Sequence, residues 1–143
     1  MPVQVSHTQT VERPVAAVFD FMARDHARNH PRWDENIELE QVTGGPVRVG
    51  TIFQRLNKRG PTPIEGTMQV TEFEPNRALG VIIREGPLEM RGRITFAAAG
   101  DNRTVVTRWA ELPDLDPPID TGVIERELAR SEPILKALLE SQS

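Results

Sequence analysis

Cysteine is absent from the 143 residues, which excludes disulfides, thiolate nucleophiles and cysteine-ligated metals. Tyrosine is absent as well, and aromatic residues make up only 5% of the chain, so phenolic hydroxyls take no part in any chemistry here. Histidine is scarce, with His7, His26 and His30 the only three. A helix would set His26 and His30 on one face, but no glutamate follows His26 and no third ligand lies nearby. The pair is therefore expected at the surface, without a metal, and no cofactor is expected. Glycine-rich phosphate loops and a Gly-x-Ser-x-Gly nucleophile elbow are also missing; Gly44-Gly45-Pro46 is simply a turn. Lysines do not cluster and the formal charge is −4, which argues against a nucleic-acid partner. No apolar run approaches a membrane span, and Met1-Pro2-Val3-Gln4 has neither the basic nor the apolar region of a signal peptide. The expectation is a cytoplasmic protein, with residues 1–143 forming one ligand-binding domain and no membrane partner.

What the chain does contain is alternation. In Ile64–Phe73, Ile64, Met68 and Val70 share a face with Gly66, opposite Glu65, Thr67, Gln69 and Thr71. In Leu88–Ala97, Leu88, Met90, Ile94 and Phe96 share a face with Gly92, opposite Glu89, Arg91, Arg93 and Thr95. Period-2 patterning of this kind marks strands with one dry and one wet side. A glycine on the dry side withholds volume where a core would want it, which fits a bulge, a tight bend or a hollow. A hollow would make the protein a container for a small molecule.

Similar runs recur along the chain. Val3–Val11 alternates as a first strand. Pro14 then opens a short helix whose stripe is Val15, Val18, Phe19 and Met22. A second short helix is expected from Asp25 to about Asn29, ended by Pro31, with Trp33 just beyond. Strand runs follow at Ile37–Val42, Thr51–Lys58, Ile64–Phe73, Ala78–Glu85, Leu88–Ala97 and Thr104–Leu112, separated by Gly-, Pro- and Asn-rich turns. Short connections between successive strands imply antiparallel neighbours. Asp114–Pro118 forms a proline-rich link to a final helix with the stripe Ile124, Leu128, Leu135, Leu138 and Leu139. Pro133 falls inside that stripe, so a break is expected around Ser131–Pro133, and the last turn would gate the hollow. The order is β-α-α-β6-α, an α+β fold with a seven-stranded antiparallel curved sheet around a C-terminal helix.

Several residues in this order resemble the START-like (birch-pollen-allergen-like) superfamily, and within it the bacterial polyketide cyclase/dehydrase group. They are Thr10-Val11-Glu12-Arg13-Pro14 with Val18-Phe19, Trp33-Asp34, Gly50-Thr51 with Phe53, Glu72-Phe73-Glu74-Pro75-Asn76-Arg77, and Phe96 followed by Gly100 and Thr104-Val105-Val106-Thr107. The likeness spans roughly residues 3–112. It implies a helix-grip fold, with a cavity between the curved sheet and the C-terminal helix. Arg13, where the family usually has a small residue, and the proline-interrupted last helix depart from the pattern. Enzymes, carriers and receptors share this fold, so function rests on the site.

Strand phase supplies the candidates. Met68, Val70, Ile83, Met90, Ile94, Phe96 and Phe53 face inward, joined by Trp33 at the helix–sheet junction. Inward polar residues are more informative, because burying them unpaired is costly. Arg55, Arg108, His7 and Glu85 are the candidates for chemistry. The last strand has two possible phases, one placing Arg108 inward and the other Trp109. Three functions remain open: a polyketide cyclase or dehydratase acting on a hydrophobic or aromatic molecule in an internal cavity, a non-catalytic carrier of a hydrophobic ligand, and a protein-interaction module. The sequence decides neither enzyme status nor oligomeric state, a homodimer included.

Overall fold

The computed structural model describes residues 3–113 and 120–141; the Asp114–Pro118 link lies outside them. Seven strands form one antiparallel sheet: β1 (Val3–Val11), β2 (Ile37–Gln41), β3 (Ile52–Asn57), β4 (Ile64–Glu74), β5 (Ala78–Glu85), β6 (Leu88–Ala98) and β7 (Thr104–Leu112). Their order is β1-β7-β6-β5-β4-β3-β2, so every strand except the first lies beside its sequence neighbour. β1 pairs with the last strand, from Val3 opposite Leu112 to Val11 opposite Thr104. Helices α1 (Val15–Phe19) and α2 (His26–Trp33) carry the chain from that edge to the β2 edge. The turns follow their chemistry: Asn76 adopts φ 63° between β4 and β5, a left-handed conformation that asparagine tolerates.

A single helix, α3 (Thr121–Glu140), lies across the inner face of the sheet, with the Asp120 carboxylate accepting from the Gly122 N–H at 2.9 Å. Its Leu135 and Leu139 are fully buried with Val11, Phe96 and Val106, each leucine contributing about 1.5–3 kcal/mol by leaving water. Phe19 of α1 meets Phe96 and Phe73 edge to face, with centroids 5.2 and 5.3 Å apart. This end of the molecule is solid. The helix-grip architecture expected from the sequence is the one observed.

Two expectations about proline fail. α2 does not end before Pro31 but runs through it to Trp33, whose burial against Phe21 and His26 anchors the turn after the proline. α3 is likewise continuous through Pro133, so the expected break at Ser131–Pro133 is absent. Pro133 and Ala129, four residues apart, both lie on the exposed face, so the Ala129 carbonyl deprived of a donor faces solvent. On the inner face the sheet holds the helix directly: Gln9 Nε2 donates to the Glu132 carbonyl at 3.2 Å, and Arg108 donates to the Leu128 carbonyl at 3.0 Å.

Candidate functional site

Between the middle of the sheet and the N-terminal half of α3 the packing opens. Two adjoining lobes, about 170 and 160 Å³, share walls formed by Asp34, Ile83, Gly92, Ala110, Glu127 and Leu128. β4 to β7 supply an apolar floor, α3 the roof and α2 one side. Gly92 belongs to this floor: the one atom within 4 Å of a Cβ there is Val81 Cγ2, at 3.1 Å, a tight contact with the end of a single side chain, while the hollow lies beside it. Gly66 has a different purpose. A Cβ at Gly66 would lie 2.3 Å from the Arg84 carbonyl oxygen, so this position is one of close approach. Arg55 pairs with Gly66 across β3 and β4, and across the bare position its guanidinium forms an ion pair with Glu85 of β5.

The α2 wall grows out of an unusual helical turn. Residues Asp20–Arg24 are wound as a π-helix, with the Asp25 N–H bonded to the Asp20 carbonyl at 3.0 Å. Buried side chains take up nearby carbonyls: Asn29 Nδ2 donates to Phe21 O at 2.9 Å, and His26 Nδ1 donates to Met22 O at 2.7 Å. A carbonyl only accepts, so His26 carries its proton on Nδ1 and leaves Nε2 as an acceptor. His30 Nδ1 lies 3.2 Å from that Nε2, so it must be the donor. The His30 ring stacks on Trp33, 5.0 Å between centroids, and lines the larger lobe. Burial pushes the His26 imidazole down to about 4. His30 is pushed well below 6.5 by burial, reinforced by His26, Arg55, Arg108 and Arg59.

Two guanidiniums are set into the walls. Arg108, 7% exposed, donates to Ser131 Oγ at 2.7 Å, Leu128 O at 3.0 Å and Gln9 Oε1 at 3.4 Å. Burial lowers its pKa to about 10 against the opposing pull of Glu132, Glu127 and Asp34, so it stays charged at neutral pH. Arg55, also 7% exposed, is lowered by burial and supported by Glu85. The Nε–H of each arginine is buried without a protein partner. At the smaller lobe Arg59 bridges two carboxylates, Asp34 at 2.5 Å and Glu127 at 3.6 Å. Burial raises the Asp34 carboxyl, whereas at Glu127 the bond from Arg130 and the field of Arg59 outweigh burial and lower it. Among the described residues no group of three or more His, Asp or Glu could hold a metal ion.

The family model for polyketide cyclase/dehydrase and lipid transport matches residues 2–140. The chain belongs to this family. No curated protein matches the sequence. Solved structures match closely in shape at low identity. The Zhui aromatase/cyclase from Streptomyces sp. R1128 has a TM-score of 0.77 at 15% identity, over 98% of this chain and 94% of that one. Major latex-like protein 151 from Panax ginseng gives 0.79 at 8%, over 96% and 97% of the two chains. Norcoclaurine synthase from Thalictrum flavum gives 0.70 at 19%, over 100% and 90%. These likenesses establish the fold.

Within this member of the family, the residues singled out from the sequence divide into three groups. Arg55, Arg108, Met68, Ile83, Met90, Ile94 and Trp33 line the hollow. The last strand is phased with Arg108 inward and Trp109 half-exposed on the other side. Phe53, Val70 and Phe96 face the same way but are packed into the solid end of the core. His7 faces α3 rather than the hollow, bonding Glu132 Oε1 at 2.6 Å on a half-exposed edge, and Glu85 is held by Arg55 with Asn57 3.3 Å away. Neither is among the residues lining the hollow. His26 and His30, expected at the surface, are wall residues instead, because the π-helical turn and the burial of Trp33 turn that face of α2 inward. Met22, His26, Asn29 and Trp33 recur every three or four residues, with His30 next to Asn29, and this spacing continues the stripe of α1 and carried the signal.

Proposed function

We propose that the protein binds a compact hydrophobic or aromatic molecule carrying at least one oxygen, held in the hollow between the sheet and α3. The observation behind this is the combination of an apolar floor with two buried guanidiniums set into its walls. A cation in an apolar wall is costly unless oxygens surround it, and a ligand oxygen in the hollow adds to those the protein supplies. An apolar cavity of roughly 150 Å³ suffices for benzene, so the larger lobe suits one ring. Native mass spectrometry of protein taken gently from its host tests this. A stoichiometric bound mass supports it; a bare protein that also fails to take up small aromatic molecules overturns it.

Chemical conversion of the bound molecule by cyclisation or dehydration is the second reading. It is supported by the family membership together with an uncharged imidazole, His30, and a charged guanidinium, Arg108, in one lobe. Aldol closure needs a base for a proton beside a carbonyl and a cation for the enolate oxygen. Arg108→Met separates the two: a cyclase loses far more turnover than affinity, while a carrier loses affinity alone.

A further inference from the structure

We infer that His26 locks His30 in the tautomer that offers a bare Nε2 to the hollow, so that the ligand is recognised through a hydroxyl donor, as in a phenol or an enol. This deepens the binding proposal above and rests on it. The chain of bonds begins at a group that cannot donate, the Met22 carbonyl, and each step fixes the next. His26 Nδ1–H is given to that carbonyl, His26 Nε2 takes the proton of His30 Nδ1, and His30 Nε2 is left with a lone pair. No protein group bonds this nitrogen among the described residues, and it is not among the buried atoms left without a partner, so it is open within a residue that lines the larger lobe. The stack on Trp33 fixes the plane of the ring.

The surroundings keep the lone pair free. Burial and the cations Arg55, Arg108 and Arg59 disfavour an imidazolium, as does the neighbouring His26, while Asp34 and Glu127 on the neighbouring walls are already engaged by Arg59. An acceptor that does not become a cation discriminates between ligands of the same shape. A molecule with a hydroxyl satisfies it; the corresponding ether or hydrocarbon leaves it unpaired. Arg108, on the same lobe, suits a second oxygen that accepts. The class of ligand is thus a small hydroxylated ring or enolised carbonyl compound. His26 is a positioning residue, and His30 the one that meets the ligand.

Phenol, anisole and toluene, titrated into the full chain and followed by NMR, test the hydroxyl; ¹⁵N spectra of the histidines test the tautomer. The wild type is expected to prefer phenol over anisole by about tenfold, the factor set by one hydrogen bond of about 1.4 kcal/mol. His30→Phe should remove that preference, so that phenol and anisole bind alike. Both His26 and His30 should show Nδ1–H, and His26→Leu should release His30 toward Nε2–H. Equal binding of phenol and anisole, or Nε2–H on His30 in the wild type, overturns the inference and leaves the cavity standing. Failure of all three probes to bind removes the cavity proposal and the ligand class with it.

Discussion

The Arg55–Glu85 pair allows a stability effect to be worked from geometry. The two side chains belong to β3 and β5 and meet only because Gly66, on the strand between, has no side chain; they are 7% and 6% exposed. Two unit charges near 4 Å attract by about 4 kcal/mol at an effective dielectric of 20. Taking both from water costs several kcal/mol per ion, so the intact pair is close to neutral against an apolar pair of similar size. Breaking it is not neutral. Glu85→Gln leaves Arg55 with no counter-charge in direct contact, and Arg55→Met leaves Glu85 with only the two Asn57 contacts, at 3.3 and 3.4 Å. Each single change is expected to cost about 3 kcal/mol, while Arg55→Met with Glu85→Leu should stay within about 1 kcal/mol of wild type. Urea unfolding measures all of these, since folded proteins have about 5–15 kcal/mol to lose. Single changes below about 1 kcal/mol, or a double change equal to the sum of the singles, would refute the argument.

Gly66→Ala should destabilise strongly or prevent folding, because the new Cβ meets the Arg84 carbonyl at 2.3 Å, whereas Gly92→Ala should be mild in the same urea assay. The His26 pKa falls from 6.5 to about 4 on folding, so its contribution to stability is complete above pH 6.5 and is lost as the pH drops toward 4. Between pH 7 and 5 this amounts to about 2 kcal/mol, with His30 adding in the same direction. His26→Gln with His30→Gln should flatten that part of the profile. Pro133→Ala restores an N–H to α3 on its exposed face and should raise stability by about 1–3 kcal/mol, read as an increase in Tm.

Much of this arrangement was legible in the sequence because strands have a strict period. Once Met68 and Met90 were phased by their neighbours, the inward positions of Arg55, Ile83 and Ile94 followed, and the turn residues gave the strand order. The last strand was ambiguous because Val105-Val106-Thr107 is apolar or neutral in both phases; only its pairing with β6 and the bonds to Ser131 and Leu128 decide for Arg108. The two glycines looked alike in sequence and differ in structure, one a gap and the other a close approach, since the difference depends on which backbone lies opposite. The buried face of α2 continues the α1 stripe through Met22, His26, Asn29 and Trp33, but it shows in the sequence only when polar residues are counted with apolar ones. The effect of Pro133 is as non-local as that of the glycines: its cost depends on whether the orphaned Ala129 carbonyl faces solvent or core.

The central claim is that the hollow beside Gly92 is a binding cavity. ¹⁹F NMR of fluorobenzene titrated into wild type and Gly92→Leu tests it directly, with a circular dichroism spectrum to show that the variant is folded. A Cβ at residue 92 meets only Val81, so a leucine there can extend into the space a ring would occupy. Saturable binding by the wild type and its loss in folded Gly92→Leu is the expected result. No binding by the wild type, or equal binding by both proteins, would contradict the account.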